Sequence, residues 1–309
     1  MNRSRALAVS VILLVILVSC TKPLLVPLSP QNASRDRNRS DRGGEQVIYG
    51  DDNRSELFAE PNPAVRLIAE STVALMSENQ IGPDRGGVRA LTGSPYGESF
   101  ALCKDERFYE QQSAAFCSGF LIAPDLIATA GHCIPDLKAC LETSYAFGFA
   151  LSTTSAQPSS LPSSEVYSCK ALLHTQSPSK GADYAIIQLD RPVANHAPLK
   201  LNLANAVAVA TDVTVLGYPE GLPLKISGGA QVRDISNPAF FVANLDTFGG
   251  NSGSAVINAN THEVEGILVR GEKDFVWNQT DGCARSNRCK ADECRGEDVT
   301  RISEVMKGY

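Results

Sequence analysis

Three short segments of this chain hold residue types that, brought together, activate a hydroxyl. They are His132 in Thr-Ala-Gly-His-Cys, Asp183 at the head of Asp-Tyr-Ala-Ile-Ile-Gln-Leu, and Ser252 in Gly-Gly-Asn-Ser-Gly-Ser. A serine hydroxyl is a weak nucleophile at neutral pH, so it needs a base, and the base needs a carboxylate to hold its tautomer. His132 is the expected general acid and base, Asp183 its orienter and Ser252 the nucleophile. Glycines on both sides of Ser252 permit a sharp turn in which the N–H groups of Gly250 and Ser252 point at one oxygen, as an oxyanion hole requires. Each segment alone has an ordinary explanation: a histidine on the surface or in the core, an acid at a strand end, a Gly-Asn-Ser-Gly turn. Their co-occurrence is what makes the chemical reading specific.

Positioning such groups takes a scaffold with a sizeable core, and 309 residues with 43% hydrophobic and 20% charged side chains supply one. The 28 basic and 34 acidic residues leave a net charge of −6, the wrong sign for a general nucleic-acid binder. Short β-type runs at 116–122, 126–130, 145–150, 185–189, 207–216, 240–245, 254–257 and 264–269 alternate with turn residues, the pattern of a sandwich or barrel. Residues 152–164, rich in Ser, Thr and Pro, read as one exposed loop. The best helix signal is 297–306, where Val299, Ile302, Val305 and Met306 share a face.

The N-terminus reads as an address. Arg3 and Arg5 precede an apolar run at 6–18 that is too short for the roughly 20 residues of a membrane span. Leu17-Val18-Ser19-Cys20 follows and resembles the lipobox of bacterial lipoproteins, with 1–19 as signal and Cys20 as the lipid-modified first residue of the mature chain. By resemblance to sorting in two-membrane bacteria, Thr21 rather than Asp after Cys20 favours the outer membrane, where the source has one. An ordinary signal peptide with a cysteine nearby is the alternative. Residues 20–46 read as a tether or a removable pro-segment. Nine cysteines are an odd number, and setting Cys20 aside leaves eight, enough for up to four disulfides in an oxidising compartment. Zinc is the rival reading for Cys283, Cys289 and Cys294, but no histidine follows them and no CxxC pair occurs.

Thr-Ala-Gly-His-Cys and Gly-Asn-Ser-Gly-Ser, in the order His, Asp, Ser, closely resemble the chymotrypsin-fold serine proteases. The order also argues against an α/β-hydrolase, in which Ser comes first. Val47-Ile-Tyr-Gly-Asp-Asp-Asn-Arg54, Gly217-Tyr-Pro and Asp246-Thr-Phe-Gly-Gly-Asn-Ser252 are similar to the bacterial V8-like, glutamyl-endopeptidase branch. The resemblance implies an all-β fold of two six-stranded antiparallel Greek-key barrels, about 47–195 and about 196–296, with a C-terminal helix at 297–306. It further implies catalytic groups in the cleft between the barrels, a Cys117–Cys133 disulfide, no metal or cofactor, and a protein or peptide substrate. The other six cysteines allow 15 pairings. The expected activity is a serine endopeptidase acting through an acyl-enzyme, exported to the bacterial cell envelope and tied to the membrane through lipidated Cys20, with release to the extracellular medium after processing as the alternative. A catalytically silent binding lipoprotein on the same barrels and an esterase using the same triad are the rival classes. Oligomeric state has no sequence signal.

Two features depart from the family pattern. Asn251 stands where activated animal enzymes carry an Asp that pairs with a freed amine, so that switch is not expected; by analogy with the V8-like branch, processing is expected near 46–47 instead. The expected pocket residues are Asp246, Thr247, Val269, Arg270 and Gly271, and the V8-like histidine is missing from 266–271. Arg270 is then either a replacement cation for an acidic substrate or a solvated rim residue. Asp246 sits where trypsin-like enzymes have a pocket-floor acid. An Asp246–Arg270 ion pair would cancel both signals.

Overall fold

Branched and aromatic runs broken every few residues by turn formers favour short strands over helices. The computed structural model describes residues 47–154, 157–204 and 206–307 and folds these runs into two closed barrels of six antiparallel strands. The expected signal at 1–19, Cys20 and the tether at 20–46 lie outside the described residues.

The first barrel comprises β1 (Thr72–Ser77), β2 (Cys117–Ala123), β3 (Leu126–Thr129), β4 (Thr143–Ala146), β5 (Val166–Gln176) and β6 (Tyr184–Leu189). Its ring order is β5-β6-β3-β2-β1-β4, closed by β4 on β5. The second comprises β7 (Asp212–Gly217), β8 (Lys225–Asp234), β9 (Phe240–Ala243), β10 (Ala255–Asn258), β11 (Val264–Arg270) and β12 (Glu297–Arg301). Its ring order is β7-β10-β11-β12-β9-β8, closed by β7 on β8, with the short strand Arg54–Glu56 added outside β8. Closure leaves no unpaired edge within either ring.

Val73, Leu75, Phe120, Ile127, Tyr145 and Ile186 fill the first barrel, and Val213, Phe241, Val256, Leu268 and Val299 the second, all fully or almost fully buried. Each such side chain contributes about 1.5–3 kcal/mol relative to exposure. The first core continues without a break into Leu216, Ile226, Ala255, Ile267 and Val305, so apolar packing seats one barrel against the other. That seating sets the geometry of the cleft.

The expected helix at 297–306 is mostly not a helix. Glu297–Arg301 form β12, with Val299 opposite Phe241 of β9 and Leu268 of β11, and only Ile302–Val305 are helical. Without β12 the strands β9 and β11 would both be open edges, and ladder pairing outweighs the local helical spacing. The second barrel therefore runs to 301 rather than 296. The presumed loop at 152–164 likewise contains a strand, Ser160–Pro162, paired with Val88–Ala90.

Four disulfides join the described cysteines: Cys103–Cys283, Cys117–Cys133, Cys140–Cys169 and Cys289–Cys294. Cys283 and Cys289 are thus bonded to sulfur, which removes the thiolates that the zinc reading needed.

Candidate active site

Strands β3 and β6 pair antiparallel with Ala185 opposite Thr129. Residues leaving β3 therefore meet residues entering β6 at one end of the first barrel. His132 lies in the 3₁₀ turn Gly131–Cys133 just after β3, and the Cys117–Cys133 disulfide pins that turn to the start of β2. Asp183 immediately precedes β6. One carboxylate oxygen, Oδ2, lies 2.8 Å from His132 Nδ1. The other, Oδ1, accepts the main-chain N–H groups of Gly131 at 2.7 Å and His132 at 3.2 Å. Ser177 Oγ donates to Oδ2 at 3.2 Å. From the second barrel, Thr300 Oγ1 accepts the Asp183 N–H at 3.0 Å and donates to its carbonyl at 3.1 Å.

Burial acts to raise the Asp183 pKa, but the hydrogen bond and charge of His132, with the charge of Arg270, outweigh it and hold the carboxyl below its usual range. Asp183 is therefore an ionised acceptor for His132 Nδ1. On the far side of the ring, Nε2 is buried and has no hydrogen-bond partner among the described residues. A buried orphan of this kind calls for an explanation, and a reacting group is one.

Ser252 belongs to the loop entering β10 from the second barrel. Ser118 N–H donates to its carbonyl at 2.8 Å, and that carbonyl lies 3.7 Å from Cys133 Sγ, next in sequence to His132. The two barrels thus bring the main chain of Ser252 against the turn that carries His132. The turn itself needs glycine: Gly250 has φ +82° and Gly253 φ +92°, and a Cβ on Gly250 would meet Tyr218 O at 2.6 Å. Gly249 C=O accepts the Glu220 N–H. Because N–H and C=O point opposite ways across a trans peptide, the Gly250 N–H is directed away from Glu220. Neither the Gly250 nor the Ser252 N–H donates to any described residue, and Ser252 Oγ makes no hydrogen bond among them. Asn251 is satisfied locally: its N–H reaches Phe248 O at 3.0 Å and its Oδ1 accepts from Ser254 Oγ at 3.3 Å.

This is an imidazole clamped by a buried carboxylate on one barrel, in a turn that packs against a serine turn with two unengaged N–H groups on the other. Residues 117–267 match the family model of the trypsin-like peptidase domain. That stretch is similar to a trypsin-like peptidase domain. Over 185 residues it is 30% identical to a glutamyl endopeptidase of Bacillus licheniformis, covering 58% of this chain. The chain spans only 54% of that relative's own length. Similar solved structures include a Glu endopeptidase in complex with MPD, with TM-score 0.49 and 19% identity over 85% of this chain and 98% of that one. The human heparin binding protein has TM-score 0.49 and 13% identity over 85% and 96%.

The expected pocket residues separate. Asp246 is 4% exposed, and its two oxygens accept the main-chain N–H groups of Tyr49 at 2.7 Å and Asn53 at 2.9 Å. It ties down the segment at 47–53, and burial pushes its pKa up to about 6. Thr247 is buried, with Oγ1 donating to the buried Glu297 at 3.2 Å. Val269 is fully buried and Gly271 half-buried. Arg270 does not pair with Asp246. Its Nε donates to Asp298 at 3.2 Å, and a terminal nitrogen lies 3.5 Å from Asp183 Oδ2.

Sequence reasoning missed three supporting residues. Ser118 donates through Oγ to Gly250 O at 2.8 Å and accepts the Tyr218 N–H at 3.0 Å, while Ser177 and Thr300 hold Asp183. Ser118 does follow Cys117 of the expected disulfide, but Thr300 lay inside the expected helix.

Proposed function

We propose that this chain is a serine endopeptidase. The reading is carried by one observation: His132 is held through Nδ1 by an ionised, buried Asp183 while its Nε2 is left without a partner beside the Ser252 turn. In the first half-reaction the Ser252 Oγ–H proton passes to His132 Nε2 as Oγ bonds to the substrate carbonyl carbon. The resulting oxyanion lies in the reach of the Gly250 and Ser252 N–H groups, worth about 3–4 kcal/mol per donor. The carbonyl C–N bond then breaks, and His132 returns the proton to the leaving amine. Water repeats the sequence on the acyl-enzyme and releases the acid. Hydrogen bonds of this kind are commonly long before substrate binds, so the absence of a resting Ser252–His132 bond is compatible with the mechanism. Thr247, Val269 and Gly271 remain the expected framework of the substrate pocket.

The expected place of action is the bacterial cell envelope, with Cys20 as lipid anchor, 20–46 as tether and 47–309 as the protease. Four disulfides in a chain of this size support an oxidising compartment.

Ser252→Ala tests the activity. Turnover of a casein-type substrate should fall about a million-fold, and labelling by a fluorophosphonate probe should disappear. Retained hydrolysis refutes the role of Ser252. A wild-type protein that neither labels nor hydrolyses is the silent binding module instead.

A further inference from the structure

Arg270 ends β11 in the second barrel, yet most of its polar contacts lie in the first. One terminal nitrogen donates to Gly181 O at 2.9 Å; the other reaches Pro178 O at 3.4 Å and lies 3.5 Å from Asp183 Oδ2. Its Nε is held by Asp298 Oδ2 at 3.2 Å, and Asp298 is itself fixed by Arg295 at 2.5 Å. The guanidinium lies 5.6 Å from the centre of the Phe240 ring.

A guanidinium has five N–H donors in a rigid fork. Here three are engaged in hydrogen bonds, one by Asp298 and two by main-chain carbonyls, and Asp183 lies within ion-pair distance. Two carboxylates already lie within 3.5 Å, so a substrate carboxylate arriving at this cation would be the third and would find two N–H groups, one of them on the nitrogen beside Asp183. The oxygen that Arg270 approaches, Asp183 Oδ2, is the one that holds His132 Nδ1 at 2.8 Å.

We infer that Arg270 is a positioning residue that locks the Asp183-bearing loop of the first barrel onto the second, rather than the anchor for an acidic substrate side chain. This rests on the triad reading above. The planar fork spans Asp298, Gly181 and Asp183 at once and fixes the distance between barrels at the point where Asp183 meets His132. Displacement of a catalytic group by about 1 Å costs on the order of 10²-fold in rate.

The test uses the mature protein and three peptides that differ only in Glu, Gln or Lys before the scissile bond. Arg270→Met should lower kcat about 10²-fold by the same factor on all three, with KM held within about twofold. Arg270→Lys keeps the charge but loses the fork, and should recover part of that loss equally on all three. If Arg270→Met does not fold, Arg270→Lys alone carries the test, with a uniform kcat loss of about tenfold expected as a fraction of that limit. A rise in KM confined to the Glu peptide, with kcat unchanged, would show an anchor and overturn the inference. Unchanged kinetics on all three peptides would overturn it too. Ser252→Ala in parallel separates the two readings: if it abolishes hydrolysis while the Arg270 variants behave like wild type, only the positioning role is lost.

Discussion

Asp183→Asn exchanges one carboxylate oxygen for an NH₂ group, and the surroundings decide which. Oδ1 accepts two main-chain N–H groups, from Gly131 at 2.7 Å and His132 at 3.2 Å, whereas Oδ2 faces His132 Nδ1 at 2.8 Å and Ser177 Oγ at 3.2 Å. Putting the NH₂ at the Oδ1 site would set donor against two donors and orphan both N–H groups, at about 1–3 kcal/mol each. The amide therefore settles with its oxygen at the Oδ1 site and its NH₂ toward Nδ1. A donor there forces Nδ1 to act as acceptor, so the ring proton moves to Nε2, the atom that must receive the serine proton. The expected loss in kcat is about 10⁴-fold, equivalent to about 5.4 kcal/mol of barrier at about 1.36 per decade. KM should hardly change, because Asp183 is 1% exposed and is not expected to touch the substrate. A fluorogenic peptide assay with wild-type and variant at matched concentration reads both constants. A kcat within tenfold of wild type would refute the argument that Asp183 sets the tautomer. The same carboxyl also bears on acid stability. Its pKa is held below the ordinary value on folding, so the stability it contributes is present above the unfolded pKa, about 3.9, and is lost as pH falls through the folded value. Asp183→Asn should abolish that part of the acid dependence.

Asp246 should show the opposite slope. Its folded pKa is raised to about 6 against about 3.9 unfolded, so the folded state keeps a proton that the unfolded state has lost, and stability falls by up to about 3 kcal/mol as pH rises through that window. Asp246→Asn should flatten this slope in urea melts at pH 4.5 and 7, and an unaltered slope would count against it. For processing, Val47 and Ile48 are fully buried, and Val47 O accepts the Thr247 N–H at 3.4 Å, so the segment after the expected cut is seated in the second barrel. Mass spectrometry of the active protein should find Val47 at its N-terminus, and an active form that still begins at a lipid-modified Cys20 would refute the cut.

The residue types of the proposed site were readable in the chain because their signals are local. A nucleophile turn needs glycine at positive φ within two residues of Ser252, and Gly250 and Gly253 are there. Strands with clear branched or aromatic runs, such as β3, β6 and β11, were equally visible. Four barrel strands were not. β1, Thr-Val-Ala-Leu-Met-Ser, has five consecutive buried residues and therefore no alternation, while β5 carries two register shifts that break its period. β8 has two adjacent glycines that mimic a turn, and β12 has a spacing that also suits a helix. Arg270 and Asp246 show the deeper limit. Both were recognised as charges near a pocket, and nothing along the polymer pairs one with Asp183 and Asp298 and the other with the N–H groups of Tyr49 and Asn53. The same holds for Cys103, which finds Cys283 across 180 residues. Side-chain identity and tight-turn chemistry act over a few residues, so they are written in the chain. A long side chain's partner depends on which strands the closed barrels make neighbours, and that is settled by burying two cores at once.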